Sequence, residues 1–471
     1  MEFKDVYITP FFLIFFYAFA IWIRGKFFKD TALYKYILPG FYAKVIGALA
    51  AGLIYYQYYG TGDTIFYFLR TCSLTDIFFS DTGRGLQYIF GDPFASGTHT
   101  WFLKKVLRAQ DTSAYMVVRW ATIFSILSGK TYSVIALWFA TISFAGSCAM
   151  LKTFYEIYPK LSKQLAICIL FIPSVIFWGS GLFKDTLSFA FVGFLTWGSY
   201  AMFIKRANRG WAGFAIVFSL YFLFVIKTYI VLSFLPSVIL WVFFTYRSKI
   251  QNQFAKTLAL PFVLILSAGI GVALVVSLGS QSDKWSVGQV QKRAQDMQWW
   301  HTAVVEIYGE EGGGSYYSLG DEDFSIPGII RKIPIAINVT LFRPYIWEVS
   351  SVVMLMAAVE SLFFLLFSLR ILLKTGPIKL YSLATANPVI TFALIFSLIF
   401  AFGVGFTSYN FGALVRYKIP CMPFFLVTLY LLKYHTENKI ETESNTMNAD
   451  EIANEMDEYY RTDTRRLSQS W

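Results

Sequence analysis

The sequence predicts an all-α, polytopic transmembrane helix bundle of about eleven helices, with two large extracytoplasmic loops that contain interfacial helices. The chain of 471 residues is 56% hydrophobic and 20% aromatic but only 15% charged, which is more apolar than an ordinary soluble domain. The apolar residues also fall in blocks of about 17–25, the length that carries a helix through a hydrocarbon core of about 30 Å. Both observations favour lipid as the solvent.

Eleven apolar blocks are the candidate membrane helices. They lie near residues 8–24, 41–59, 132–151, 164–181, 186–204, 211–226, 229–245, 257–278, 350–369, 386–406 and 419–432. The first block resembles a signal peptide, but it lacks a small-residue cleavage site and ends in Arg24-Gly25-Lys26. We therefore interpret it as a retained helix.

Lysine and arginine recur in every second connection between these blocks, and such connections face the cytoplasm under the positive-inside rule. We therefore predict an amino terminus outside and a carboxyl terminus inside a bacterial-type inner membrane. The predicted transmembrane domain covers residues 1–434 and carries outer loops at 60–131 and 279–349. Residues 435–471, rich in Glu, Asn, Asp and Ser, are predicted to form a disordered cytoplasmic tail.

Several function classes are disfavoured by composition. The net charge of +11 comes without a basic run or an RNA-binding aromatic signature, so no nucleic-acid partner is predicted. Four scattered cysteines and three histidines predict neither a disulfide framework nor a histidine metal centre. The acidic groups Glu310-Glu311 and Asp321-Glu322-Asp323 leave a divalent cation open, although their glycine-rich context favours a solvated loop. No other cofactor is predicted.

Five charged clusters share the predicted outer face. They are Asp63, Lys184-Asp185 after Gly179-Ser180-Gly181, Lys227, Arg343 with Glu348, and Arg416 with Lys418. An ionisable group bordering a bilayer is costly unless it faces water, a partner or a ligand. These residues are therefore the candidate functional groups.

Each candidate also has a purely structural interpretation. Asp63 follows two glycines and suits a helix cap as well as a catalytic base. Lys184 and Asp185 suit a water-exposed turn, or an anion contact beside the glycine backbone amides. Lys227 is typical of a snorkelling or turn lysine.

Arg343 and Arg416 are each expected either to pair with a carboxylate such as Glu348 or to bind an anion. The planar N–H donors of a guanidinium suit phosphate or pyrophosphate as that anion. In the functional hypothesis, two carboxylates are catalytic and four cations bind a substrate phosphate. The catalytic pair is Asp63 and Asp185, and the phosphate-binding residues are Lys184, Lys227, Arg343 and Arg416.

Four stretches of the chain resemble the polytopic glycosyltransferases of the GT-C class and the related bacterial polysaccharide-synthesis membrane proteins. They are Gly60–Phe68 (GTGDTIFYF), Pro173–Asp185 (PSVIFWGSGLFKD), Thr340–Glu348 (TLFRPYIWE) and Leu414–Phe424 (LVRYKIPCMPF). In that class an acidic residue near the start of the first large outer loop is the catalytic base, and basic residues bind the phosphate of the donor. Asp63 matches that position, and Arg416 looks like a late-chain element of these proteins. Two features depart from the class, since the first large loop follows the second helix and no acidic dipeptide stands at the catalytic place.

The resemblance implies a membrane glycosyltransferase or polysaccharide polymerase that works on the outer face of the membrane. The partners that the resemblance implies are a polyprenyl-phosphate-linked sugar as the donor and the surrounding membrane lipid. Two alternatives stay open. One is a transporter or flippase of an anionic lipid-linked or sugar substrate, and the other is a non-catalytic membrane subunit.

Overall fold

The computed structural model describes residues 3–95, 100–247 and 325–437, together with residues 296, 299, 316–320 and 323. Within these ranges the chain is helical and has no β-strand, apart from an isolated bridge between Tyr316 and Asn410. The predicted block at 257–278, the paired acids at 310–311 and the tail beyond residue 437 lie outside the described residues.

Seventeen α-helices are described. They are α1 (Phe3–Phe27), α2 (Tyr34–Leu53), α3 (Asp63–Ser80), α4 (Thr82–Phe90), α5 (Thr100–Lys105), α6 (Thr112–Ser128), α7 (Tyr132–Ile157), α8 (Ser162–Leu170), α9 (Pro173–Trp178), α10 (Lys184–Ser199), α11 (Arg209–Arg247), α12 (Ile326–Phe342), α13 (Val352–Thr375), α14 (Pro377–Ala386), α15 (Pro388–Ser408), α16 (Phe411–Tyr417) and α17 (Met422–Glu437). Short π-helical turns, Ile54–Tyr59 and Tyr200–Lys205, extend α2 and α10.

The prediction of a multi-pass, all-helical membrane protein is confirmed. Seven described helices are long and apolar enough to cross a membrane, and the pair α16–α17, bent by 66°, raises the number to eight when it is taken as one span. The predicted number of eleven is not confirmed. Three of the predicted blocks have an irregular structure that explains part of the difference.

Helix α11 folds back on itself at Lys227, whose backbone is not helical (φ −149°, ψ 77°). A straight helix of 39 residues would be about 58 Å long, so its two ends would lie far apart. Instead, the Tyr246 hydroxyl near the end of α11 donates to the carbonyl oxygen of Phe203 at 2.6 Å, and Arg206 lies over the Tyr246 ring. The two arms correspond to the apolar blocks at 211–226 and 229–245, and Lys227 is the tip of the hairpin.

The predicted block at 164–181 is divided into the two short helices α8 and α9. Pro173 lacks an N–H group and forces Ile172 into an extended conformation (φ −71°, ψ 122°), which ends the first helix. The freed backbone N–H of Ser174 donates to the buried carboxylate of Glu360 at 2.8 Å. At the other end of α9, the buried Lys44 ammonium donates to the Gly179 carbonyl at 2.9 Å. Charged groups therefore hold both ends of α9.

The predicted outer loop 60–131 is mostly helical and contains α3, α4, α5 and α6. The α3 and α6 helices pack together, and the Thr75 hydroxyl donates to the Ser125 hydroxyl at 2.9 Å. The Thr64 and Tyr132 hydroxyls, 2.7 Å apart, join α3 to the start of α7. This region is therefore a packed part of the bundle.

Within the predicted loop 279–349, residues 326–342 form the helix α12. The Thr340 hydroxyl of α12 donates to the Ala401 carbonyl of α15 at 2.7 Å. A Cβ on Gly405 would lie 2.2 Å from the Ala336 carbonyl oxygen, so the two backbones approach closely because Gly405 has no side chain. Two charges and a proline within α12 conceal its apolar pattern in the sequence.

The backbones of helices α7 and α10 also approach closely at a glycine. A Cβ on Gly193 of α10 would lie 2.1 Å from the carbonyl oxygen of Gly146 on α7. Small residues at a helix crossing allow this approach, and van der Waals packing then replaces the hydrophobic effect as the source of stability in lipid.

Gly193→Leu should therefore lower the free energy of unfolding by about 1–3 kcal/mol or more, because the two helices must move apart. Thermal unfolding of the purified protein in detergent measures the effect as a lower melting temperature. Gly210→Leu is the matched control, since a Cβ at Gly210 meets no atom within 4 Å. Equal melting temperatures for the two variants would contradict the close contact.

Candidate functional site

Four of the predicted residues meet in one cluster of charged side chains. The Arg416 guanidinium donates through Nη1 to Asp63 Oδ2 at 2.6 Å and through Nε to Asp185 Oδ2. The Lys227 ammonium donates to the other carboxylate oxygen of Asp185. The cluster thus contains two carboxylates and two cations, and it joins α3, α10, the tip of α11 and α16.

Two glycines set the position of Asp63 in the first turn of α3. Gly60 (φ +64°) and Gly62 (φ +125°) adopt left-handed backbone conformations that disfavour other residues. A Cβ on Gly62 would also lie 2.5 Å from the Tyr55 ring. Gly62 occupies the cap position of α3, so Asp63 is not the cap residue and its carboxylate is directed to Arg416.

The positions of Asp185 and Arg416 at helix termini favour their charges. Asp185 lies in the first turn of α10, and Arg416 lies in the last turn of α16. The amino-terminal end of a helix stabilises a negative charge and the carboxyl-terminal end a positive charge. The helix termini therefore stabilise these two charges in addition to the ion pairs.

The two carboxylates differ in their exposure to solvent. The side chain of Asp185 is fully buried, whereas that of Asp63 is 48% exposed. Both cations on Asp185 are nearly buried as well, with 6% exposure for Lys227 and 12% for Arg416. A buried carboxylate needs such complete pairing. Asp63 is therefore the carboxylate of the cluster that is open to solvent.

A cavity of about 490 Å³ opens beside Arg416. Its wall is mainly aromatic and apolar, and the lining residues are Tyr55, Tyr58, Tyr59, Trp178, Ser351, Met354, Ala357, Phe411, Gly412, Ala413, Val415, Arg416 and Tyr417. Small-molecule sites typically have a volume of about 300–1,000 Å³ and a few polar groups that orient the ligand. The cavity has this size and composition.

No family model, curated protein or solved structure matches the chain. Within the described ranges, no group of three or more His, Cys, Asp or Glu side chains could hold a metal ion.

The two remaining predicted residues have different partners. The Lys184 ammonium donates to the Ser113 hydroxyl at 2.7 Å and lies 3.5 Å from Asp111 Oδ2. Arg343 pairs with Glu348, and its Nε lies 3.0 Å from each carboxylate oxygen. The structure thus shows the carboxylate pairing that was one of the two expectations for Arg343. The Arg343 guanidinium also lies over the ring of Phe411, which lines the cavity.

Tyr67 was not recognised in the sequence, although it lies one helical turn after Asp63 on α3. Its side chain is buried. Burial raises the pKa of the Tyr67 phenol far above its usual range, and the negative charge of Asp63 raises it further. The hydroxyl therefore stays protonated beside Asp63.

Two intramembrane charges that position α9 were also missed. Glu360 lies within the apolar block 350–369, and Lys44 lies within the block 41–59. A single ionisable residue inside such a block marks a functional or structural site by itself. The signal was therefore present, but only the structure identifies Ser174 and Gly179 as the partners.

Asp185→Asn should destabilise the protein by about 3–5 kcal/mol, because it leaves the buried cations Arg416 and Lys227 without their shared carboxylate. Glu437→Gln is the control. Its ion pair with Lys374 is about half exposed, and such pairs contribute about 1 kcal/mol or less. Thermal unfolding compares the two variants, and equal small shifts in melting temperature would show that the Asp185 pairs are not formed.

Proposed function

We propose that the protein is a membrane glycosyltransferase or polysaccharide polymerase that transfers a sugar from a polyprenyl-phosphate-linked donor. One observation carries the proposal. The half-exposed carboxylate of Asp63 is fixed by Arg416, and Arg416 also lines an aromatic cavity of ligand size.

In this proposal Asp63 is the general base. Its carboxylate accepts the proton of an acceptor hydroxyl while the hydroxyl oxygen attacks the anomeric carbon of the donor. The bond between that carbon and the phosphate oxygen breaks, and the phosphate leaves with the electron pair. Nearby cations stabilise the charge of the leaving phosphate.

The remaining charges of the cluster position the base. Arg416 holds the Asp63 carboxylate, and the buried Asp185 fixes Arg416 from its other side. Lys227 supplies the second cation that Asp185 requires. We therefore assign Asp185 a positioning role, because its buried carboxylate has no open path to a substrate.

The cavity supports a carbohydrate ligand. The faces of aromatic rings carry partial negative charge and are apolar, so they suit the C–H groups on the face of a sugar ring. Tyr55, Trp178 and Tyr417 offer such surfaces, while Met354 and Val415 add aliphatic wall next to the same space. A lipid-linked sugar carries a sugar ring and an aliphatic chain, so one molecule can contact both the aromatic and the aliphatic wall.

The distribution of basic residues supports an extracytoplasmic site. Helix α10 begins at the cluster with Lys184 and ends with the turn that contains Lys205, which pairs with Glu156 at the end of α7. The basic connections thus lie at the opposite end of the bundle from the cluster. The positive-inside rule assigns that basic end to the cytoplasm, in a bacterial-type inner membrane with the amino terminus outside.

A transporter of an anionic substrate is the second candidate, and the broken helices favour it. The pairs α8–α9 and α16–α17 are both interrupted near charged groups, and discontinuous helices form the substrate sites of many transporters. Such a protein would move its substrate without forming a glycosidic bond.

Asp63→Asn should reduce sugar transfer by about 100-fold or more, because the acceptor loses its base. The measurement is the formation of a glycosidic bond from a labelled polyprenyl-phosphate sugar in proteoliposomes. Asp76→Asn is the control on the same helix, since the Asp76 side chain is 64% exposed and pairs with Lys130. Full transfer by Asp63→Asn would exclude the base, and flux of the substrate without a new bond would favour the transporter.

A further inference from the structure

A shallow pocket lies between the last turns of α13 and α17, far from the aromatic cavity. Both helices contribute charged side chains to its lining, which includes Arg370, Lys374, Lys433 and Glu437. Met354, which lines the aromatic cavity, and Lys374 are about 30 Å apart along α13. The pocket is therefore at the basic end of the bundle, opposite the cluster of Asp63 and Arg416.

The lining of this pocket has an excess of positive charge. It contains three cations and one carboxylate. Lys374 donates to the Glu437 carboxylate at 3.0 Å, so that pair balances itself. Within the described ranges, neither Arg370 nor Lys433 forms an ion pair. Two positive charges are thus left without a carboxylate partner.

Two threonine hydroxyls of the pocket bind each other. The buried Thr436 hydroxyl donates to the Leu432 carbonyl oxygen at 2.8 Å, so it accepts from the Thr375 hydroxyl, which is 3.1 Å away. Both hydroxyl protons are used in these contacts. The donors left for a ligand are therefore those of the cationic side chains, which bind an anion more strongly than a neutral group.

The size of the pocket limits what can enter it. Its volume is about 20 Å³, which is room for about one water-sized group. One phosphate oxygen fits this space, whereas a whole sugar or nucleotide does not. The rest of a ligand would therefore lie on the outer surface of α13.

That outer surface changes from aromatic to cationic towards the basic end. Phe363, Phe367, Arg370 and Lys374 stand at positions i, i+4, i+7 and i+11 and so share one face of α13. The rings of Phe363 and Phe367 stack with their centroids 5.8 Å apart. An acyl chain that ends in a charged headgroup has the same order of apolar and polar parts.

Helix α13 also faces lipid over most of its length. Only 33% of its apolar span is buried inside the protein. Next to Arg370, the side chain of Leu369 is 44% exposed and that of Leu373 is 77% exposed. A soluble anion in the pocket would lie against apolar surface that the bilayer covers, so a lipid is the better ligand.

We propose that this pocket binds the headgroup phosphate of an anionic phospholipid in the leaflet at the basic end of the bundle. Arg370 and Lys433 bind the phosphate oxygens, and an acyl chain lies along Phe363 and Phe367. Basic pockets between membrane helices bind anionic headgroups in this way. The site is separate from the proposed sugar transfer and does not depend on it.

The test counts the lipids bound to the full-length protein in a non-ionic detergent by native mass spectrometry. Phosphatidylglycerol and phosphatidylcholine with identical acyl chains are the probes, and phosphatidylglycerol should bind more tightly because its headgroup carries no cation of its own. Arg370→Gln/Lys433→Gln should weaken binding of phosphatidylglycerol at least about tenfold, since two charge-assisted contacts are lost.

A matched control removes two cations elsewhere at the same end of the bundle. Lys160 and Lys163 are exposed, and the neighbouring Tyr158 packs against His435 of α17. Lys160→Gln/Lys163→Gln should therefore bind phosphatidylglycerol as the unaltered protein does. Equal losses in the two double variants would show a general attraction to basic surface and would overturn the site.

Three other outcomes also overturn the proposal. They are unchanged binding in Arg370→Gln/Lys433→Gln, equal binding of the two lipids by the unaltered protein, and displacement of phosphatidylglycerol by inorganic phosphate at the same concentration. The last result would show that the pocket takes free phosphate instead of a lipid.

Two further variants separate this site from folding and from the proposed reaction. Arg370→Gln alone changes an exposed residue and should weaken binding severalfold, so the proposal stays testable even where the double variant unfolds. Asp63→Asn should bind phosphatidylglycerol as the unaltered protein does. A failure of the proposed sugar transfer would therefore leave the lipid site standing.

Discussion

The guanidinium of Arg416 is the contact on which the rest of the site depends. It joins Asp63, near the start of the chain, to Asp185 in the middle, and it is nearly buried itself. A buried guanidinium without carboxylates would cost several kcal/mol, so α3, α10 and α16 must assemble together. The hairpin of α11 completes the arrangement by bringing Lys227 to the free oxygen of Asp185. Folding and formation of the site are thus one event.

The two carboxylates of this cluster are chemically alike but differ in their ion pairing and solvent exposure. Asp185 has two cations and no exposure, so its charge is used within the protein, whereas Asp63 shares one cation and keeps about half of its surface open. Asp63 is therefore open to solvent while it is held by Arg416, which lines the aromatic cavity.

Charge and hydropathy alone predict that five charged clusters share one face of the bundle, because ionisable residues at the ends of apolar blocks need water or a partner. They do not predict which of these residues meet: Arg416 contacts Asp63 and Asp185, whereas Lys184 and Arg343 have other partners. The same reasoning misses α12, since a helix of 17 residues with Pro334 inside resembles a loop in a hydropathy reading. It also fails for contacts that depend on packing. The partners of Glu360 and Lys44 appear only with the break before α9.

The most direct test of the account is an electron cryo-microscopy structure of the protein in nanodiscs with an unreactive analogue of a polyprenyl-phosphate sugar. We expect density for the sugar within hydrogen-bond reach of Asp63, with the contact between Arg416 and Asp63 intact. Ligand density at the basic end of the bundle near Lys205, or a bound sugar with Asp63 turned away from it, would contradict the central role of this carboxylate.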